Sequence, residues 1–251
     1  MIIIDIETGP LPIEQLKLVG EKFVSPPHPG EFDPDSVRYG NTKDGEKRAM
    51  KLQAALDLHA AAVAKYESVV AVAETEHWTK VQSKAALSPL TGRVLAVGYL
   101  STDSGKFILD VTIDANDPEE EQGLLTRFWD QVEKFRIQDR RIVGHNFFGF
   151  DLPFMAGRSW IHGVEVPSIF DSRGYPDGKL FRDTMKIWAC GQNKYVSLDS
   201  LGVAMGVGAK PEGVSGAQFA ELLESDRIAA NAYLENDLRM TAAVAKRMGL
   251  K

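Results

Sequence analysis

The chain begins Ile2-Ile3-Ile4-Asp5-Ile6-Glu7-Thr8-Gly9-Pro10, and the reading of this stretch decides the fold. Side chains branched at Cβ suit a pleated backbone better than a helix, so the run reads as a strand, and Gly9-Pro10 is expected to stop it. Successive side chains on a strand point to opposite faces. Ile2, Ile4 and Ile6 therefore share one face, and Ile3, Asp5 and Glu7 share the other. Two carboxylates on one face repel each other unless solvent or a cation lies between them. Taken alone, Asp-x-Glu fits a solvated sheet face, a very common pattern.

Working outward, Pro26, Pro27, Pro29 and Pro34 exclude regular helix or central strand over 26–35. Residues 43–87 are rich in Ala, Lys, Glu, Gln and Leu, with no Gly after Gly45. That composition predicts one long helix or a helical hairpin, inserted after the first strand. Arg93–Leu100 and Lys106–Val111 read as antiparallel strands around a turn at Asp103-Ser104-Gly105. A helix follows Asp117-Pro118, with Leu124, Leu125, Phe128, Trp129 and Val132 at helical spacing. Arg141–His145 is a short buried strand, and a helix opens at Asp151. Phe181–Met185 reads as another short strand. Ser197 or Asp199 caps a helix ending near Gly206, and Ser215 caps another through Leu223. The last helix follows Ser225-Asp226 and runs to about Met248. Strands, then strand–helix alternation, then a helical end imply a mixed α/β sheet flanked by helices, in one domain over residues 1–251.

The bulk properties narrow the function. The net charge is −6, so a nucleic-acid partner requires a local basic groove or cations that invert the sign at the site. The single cysteine, Cys190, excludes an intrachain disulfide or a thiolate zinc cluster and suits a reducing compartment. No apolar run approaches the roughly 20 residues of a membrane span, and the first carboxylate arrives too early for a signal-peptide core. These features predict a soluble, cytoplasmic protein with no membrane partner.

Two further carboxylates stand out. His145-Asn146-Phe147-Phe148-Gly149-Phe150-Asp151 delivers an acid at the mouth of a helix, where Asp also serves as an N-terminal cap. In Tyr233-Leu234-Glu235-Asn236-Asp237, Tyr233 and Asp237 share a helix face that continues through Met240, Thr241 and Val244. An acid on that apolar stripe needs a partner, either a cation site or a buried arginine. Asp226 is explained by capping, and Glu235 lies off the stripe.

The three motifs, Asp-x-Glu, Asn-x-x-x-Phe-Asp and Tyr-x-x-x-Asp, occur in that order. In this the chain resembles the DEDD 3′→5′ exonuclease superfamily, in the subgroup with tyrosine in the third motif. It looks most like stand-alone, often phage-encoded enzymes similar to the family-B DNA polymerase proofreading domain, and the phrase Ala86–Gly98 strengthens the likeness. The resemblance covers roughly 1–10 and 86–248. It implies an RNase H-like fold and hydrolysis of single-stranded DNA 3′ ends to nucleoside monophosphates, in a bacterium or phage-infected cell. It also implies two Mg²⁺ or Mn²⁺ ions held by Asp5, Glu7, Asp151 and Asp237, with Tyr233 orienting the attacking water. Thr8, Asn146 and Phe150 would hold the terminal nucleotides, and Asp183 sits where related enzymes place a supporting acid. His145 is expected to be structural, since histidine is unusual at a Mg²⁺ site. Lys43, Lys47, Arg48 and Lys51 form either a solvated helical face or a lid on the phosphate backbone. An exoribonuclease, and a catalytically silent nucleic-acid-binding module, are the competing readings.

Overall fold

The computed structural model describes residues 1–170, 174–190, 192, 194–209 and 216–250. In chain order the elements are β1 (Ile2–Pro10), α1 (Ile13–Val19), a 3₁₀ turn (Pro34–Ser36), α2 (Gly45–Ala85), β2 (Gly92–Ser101), β3 (Phe107–Val111), α3 (Pro118–Ile137), β4 (Ile142–Gly144), α4 (Asp151–Ile161), β5 (Phe181–Asp183), α5 (Thr184–Trp188), α6 (Leu198–Met205), a 3₁₀ turn (Gly216–Gln218), α7 (Phe219–Ser225) and α8 (Arg227–Arg247). The strands form one mixed sheet in the order β3-β2-β1-β4-β5. β1, β2 and β3 pair antiparallel, and β4 runs parallel to both β1 and β5.

β1 is the central strand, and both of its faces are covered as the alternation predicts. Ile2, Ile4 and Ile6 pack with Leu124 and Phe128 of α3 and with Leu152 and Met155 of α4. Ile3 packs with Phe219 of α7 and with Leu234 and Leu238 of α8. Each such burial contributes about 1.5–3 kcal/mol, and a one-residue slip would turn the isoleucines the wrong way. Asp5 and Glu7 therefore project on the α7/α8 side.

β1 ends at Gly9-Pro10 as expected, with Pro10 as its last paired residue, opposite Gly92. On its other side β4 reaches only as far as Ile3. Leu11 donates its N–H to Thr91 O on the β2 side, so the Pro10 nitrogen faces the edge that β4 has already left. No ladder requires the N–H that proline lacks there. The β1–β2 register also slips between Glu7, opposite Ala96, and Thr8, opposite Val94. Leu95 is the extra residue of this bulge. Leu95 and Ala96 consequently join the α8 core, while Val94 and Val97 join the other.

The chain divides into two compact units, Met1–Gly20 with Gln82–Lys251, and Glu21–Val81. In the second, the predicted helical segment is a single helix, and the proline-rich stretch is irregular apart from its 3₁₀ turn. Tyr66 donates to Pro26 O at 2.9 Å, and Lys51 to Tyr39 O at 3.0 Å. Arg48 lies over the Tyr39 ring, and Lys47 pairs loosely with Asp44.

Ser197, Gly206 and Asp226 terminate helices as expected. The strand expected over Phe181–Met185 is cut short at Asp183. Its carboxylate accepts the N–H groups of Met185 and Lys186 and so starts α5 at Thr184. Asp151 is the first residue of α4 rather than its cap, which is Phe150. The cap expected at Ser215 lies outside the described residues. No helix among the described residues is long and apolar enough to cross a membrane.

Candidate active site

β1 and β4 separate beyond Ile3, and the gap opens into a pocket of about 400 Å³ at the carboxyl ends of these strands. Asp5, Glu7, His145, Asn146, Phe150 and Asp151 line one part of it, and Tyr195, Ser197, Leu198, Asp199, Gly216, Tyr233 and Asp237 the rest. Seven of the eight residues expected at the site thus meet in one place. Thr8 does not line the pocket. Just past the bulge it is buried, and its hydroxyl donates to Ala86 O at 2.8 Å.

Asp5, Glu7 and Asp237 each offer a carboxylate oxygen, and these oxygens lie within 4.8 Å of one another. The approach of α8 to β1 makes this possible. Gly98 stands opposite Asp5 in the sheet. A Cβ there would come within 2.7 Å of Leu238 Cδ1 and 3.0 Å of Leu234 Cγ. Glycine therefore admits α8 at the level where Asp237 must reach the strand. Tyr233, one turn before Asp237, is buried with its ring near Phe219. A Cβ built on Gly216 would lie 3.6 Å from Glu7 Oε2 and 4.0 Å from the Tyr233 hydroxyl, so these two oxygens border the same small volume.

The other wall is the turn between β4 and α4. Asn146 has φ of 58°, a left-handed conformation that asparagine tolerates better than most residues. Gly149 closes over it, and a Cβ on Gly149 would collide with Asn146 Oδ1. Asp183 holds this turn from beneath. Its carboxylate, 2% exposed, accepts Asn146 N–H at 3.2 Å and Phe148 N–H at 2.9 Å while also capping α5. His145 has the structural task expected of it. Its Nδ1 meets Thr184 Oγ1 and its Nε2 meets Val196 O, each at 2.9 Å.

Asp151 closes the edge of β1 that β4 leaves open, accepting Ile6 N–H at 3.2 Å. Burial pushes its carboxyl up to about 7, against the lowering by its own N–H and that of Ile6, and nearby Asp183 adds to the rise. A carboxyl so placed is readily ionised further when positive charge arrives. The donor set is all oxygen, which fits hard divalent cations and not zinc in a thiolate or imidazole site.

Farther along α4, Arg158 is buried and forks onto Glu121 of α3 at 2.8 and 2.7 Å, with a third contact to Pro89 O at 3.0 Å. Glu121 also accepts Val94 N–H at 2.9 Å and meets His162 Nε2 at 3.0 Å. This network joins α4, and hence Asp151, to α3 and β2. The sequence contains no local pattern that marks it, because its members converge only through the tertiary fold. The same holds for Tyr195.

A family model described as a predicted 3′-5′ exonuclease related to the exonuclease domain of PolB matches residues 87–249. The matched span contains Asn146, Asp151, Tyr233 and Asp237 and begins after Asp5 and Glu7. No curated protein sequence matches the chain. Among solved structures, the family B DNA polymerase from the hyperthermophilic archaeon Pyrobaculum calidifontis aligns with a TM-score of 0.53 over 66% of this chain, at 22% identity. The alignment takes in only 23% of that polymerase. The likeness establishes a shared RNase H-like fold, with the five-stranded sheet at its centre. Because the family model spans well over half of the sequence, the chain belongs to the family of 3′-5′ exonucleases related to the PolB exonuclease domain.

Proposed function

We propose that the protein is a divalent-metal-dependent exonuclease that removes nucleoside monophosphates from the 3′ end of single-stranded DNA. The observation that carries this reading is the convergence of Asp5, Glu7 and Asp237 oxygens within 4.8 Å, in a pocket shared with Asp151 and Tyr233. Carboxylates gathered this closely call for a cation. Asp5, Glu7, Asp151 and Asp237 would hold two Mg²⁺ or Mn²⁺ ions, whose chemistry is to acidify a water and to stabilise the leaving 3′ oxygen.

The protein's own residues position the reactants. Water adds to phosphorus as the P–O3′ bond breaks, leaving a 3′-hydroxyl on the shortened strand and a free 5′-monophosphate. Tyr233 orients the attacking water through its hydroxyl; a free tyrosine, with pKa near 10, is a poor base at neutral pH. Asn146 hydrogen-bonds the terminal nucleotide, and Phe150 stacks on it, which tolerates any base. Thr8 has a structural task at the bulge, and Asp183 supports the turn that presents Asn146 and Asp151. The exposed single cysteine, Cys190, is in keeping with a reducing cytoplasm.

The test is degradation of a 5′-labelled single-stranded DNA oligonucleotide with Mg²⁺ or Mn²⁺, comparing wild type with Asp5→Ala and Asp237→Asn. The expected result is a ladder shortening from the 3′ end that disappears in both variants and in EDTA. Degradation of an RNA oligonucleotide at an equal or greater rate would reassign the substrate. No hydrolysis of either polymer would overturn the reading in favour of a silent binding module.

A further inference from the structure

Tyr195 is 78% exposed although it lines the carboxylate pocket. Exposed tyrosines are common on loops, but this one directly precedes backbone that is held in place. Val196 O is hydrogen-bonded to His145 Nε2, and His145 Nδ1 is tied to Thr184 Oγ1, both at 2.9 Å. His145 is the residue before Asn146, so Tyr195 is linked by one side chain to the turn that forms the opposite wall. Just beyond Val196, Ser197 accepts Ser200 N–H at 3.0 Å and caps α6, and Leu198 is buried. The ring is therefore presented to solvent beside an anchored stretch of backbone, in the same pocket as the carboxylates.

We propose that Tyr195 is a base-stacking residue: its ring covers a base of the bound strand while the carboxylates engage the backbone of the terminal nucleotide. The inference rests on the exonuclease reading for the identity of the ligand. The physical case is as follows. A strand that enters an acidic pocket gains its affinity from cations at the phosphates and from contacts to its bases, because the chain's net charge of −6 supplies no general attraction. Base–aromatic stacking is worth about 1–3 kcal/mol and ignores base identity. An exposed ring beside anchored backbone can meet a base without unpacking any core. Phe150 is partly packed into the core against Phe154, with ring centroids 5.4 Å apart, so it offers one face at most. Tyr195 has most of its surface available.

The experiment measures affinity and turnover separately. Fluorescence anisotropy of a labelled single-stranded oligodeoxynucleotide in Ca²⁺ reads binding, and hydrolysis in Mg²⁺ or Mn²⁺ reads kcat and KM. Wild type is compared with Tyr195→Ala and Tyr195→Phe, on an ordinary strand and on one with abasic residues at its three terminal positions. Tyr195→Ala is expected to weaken binding and raise KM by roughly 5- to 100-fold on the ordinary strand, with kcat little changed. Tyr195→Phe should behave as wild type. On the abasic strand all three proteins should bind alike. Equal binding of the ordinary strand by wild type and Tyr195→Ala overturns the stack, as does an equal loss on both strands. If wild type binds but hydrolyses nothing, the exonuclease reading fails, and the binding comparison still decides the role of Tyr195. Because the side chain is exposed, each variant is expected to melt as wild type does, which a thermal melt checks.

Discussion

Asp237 lies on the buried stripe of α8 beside Leu234, Leu238 and Thr241, where an acid is costly unless something at the site requires it. If the requirement is a cation, Asp237→Asn should leave the metal-free protein folded, melting within a few degrees of wild type. It should also abolish the rise in melting temperature that Mg²⁺ or Mn²⁺ gives wild type. Melts in EDTA and in each metal check this, and equal metal stabilisation in wild type and variant would contradict it. Asp151 adds a pH dependence. Its carboxyl ionises near 7 in the metal-free fold, above its ordinary 3.8. Raised in this way, it favours the folded state fully below pH 3.8, and that contribution fades as pH rises toward 7. Cation binding needs the ionised form and runs the other way. Calorimetric titration should therefore show Mg²⁺ affinity rising with pH up to about 7 and then levelling, and a flat profile from pH 5 to 8 would count against Asp151 as a ligand. At this scale the sequence was most informative where a residue's position alone determines its face. Strand alternation placed Asp5 and Glu7 together, and the four-residue helix step placed Tyr233 with Asp237. Thr8 escaped because the bulge that buries it depends on β2, and the bonds from Asn146 and Phe148 N–H to Asp183 join segments the sequence does not show converging.

The elements hold these residues through two devices. The first is the close approach of α8 to the sheet at Gly98. Gly98→Val would force Leu234 and Leu238 aside in a packed core, a cost of about 1–3 kcal/mol. It should also weaken Mg²⁺ stabilisation more than a core substitution distant from α8 does at matched loss of stability. The second is the Arg158–Glu121 fork between α4 and α3. Burial raises the Glu121 carboxyl, but hydrogen bonds from Arg158, His162 and Val94 N–H outweigh it and bring it down to about 2. A lowered carboxyl contributes stability above its ordinary 4.5 that is lost as pH falls from there toward 2. That difference corresponds to about 3 kcal/mol. Glu121→Gln leaves Arg158 buried with its charge unmatched and should cost about 3–5 kcal/mol at pH 7, with the penalty shrinking below pH 4. Urea unfolding at pH 7 and pH 3 tests both statements. Element type was legible wherever a long periodic run existed, as in α3 and α8. The start of α5 was not, because the Asp183 cap, read as strand, decides it.

For the whole molecule, the question is what residues 21–81 contribute. All three buried hydrophobic clusters are built from residues of the unit Met1–Gly20 with Gln82–Lys251, and so are Asp5, Glu7, Asp151, Tyr195, Tyr233 and Asp237. Within the unit Glu21–Val81 the long helix has little covering. Met50, Leu58, Val69 and Val72 are exposed, and its aromatic contacts are made with the irregular stretch before it. Composition alone identified this segment as helical and inserted, since alanine and long-chain residues favour helix whatever surrounds them. Composition does not reveal a task, because that depends on what the segment meets. Of its early basic residues Lys43, Lys47, Arg48 and Lys51, the last three have neighbours within the unit, Lys47 beside Asp44 and Arg48 and Lys51 beside Tyr39. We therefore expect a variant in which a flexible linker replaces 21–81 to unfold cooperatively and to retain its melting-temperature rise with Mg²⁺. If the segment contacts substrate, the variant should hydrolyse short oligonucleotides at close to the wild-type rate but lose affinity for long ones. The salt dependence of that affinity should also flatten, because fewer phosphates are neutralised. If it makes no such contact, oligonucleotides of every length should be bound as by wild type. Loss of cooperative unfolding would show instead that the carboxylate site depends on the inserted unit, contrary to the placement of the hydrophobic clusters.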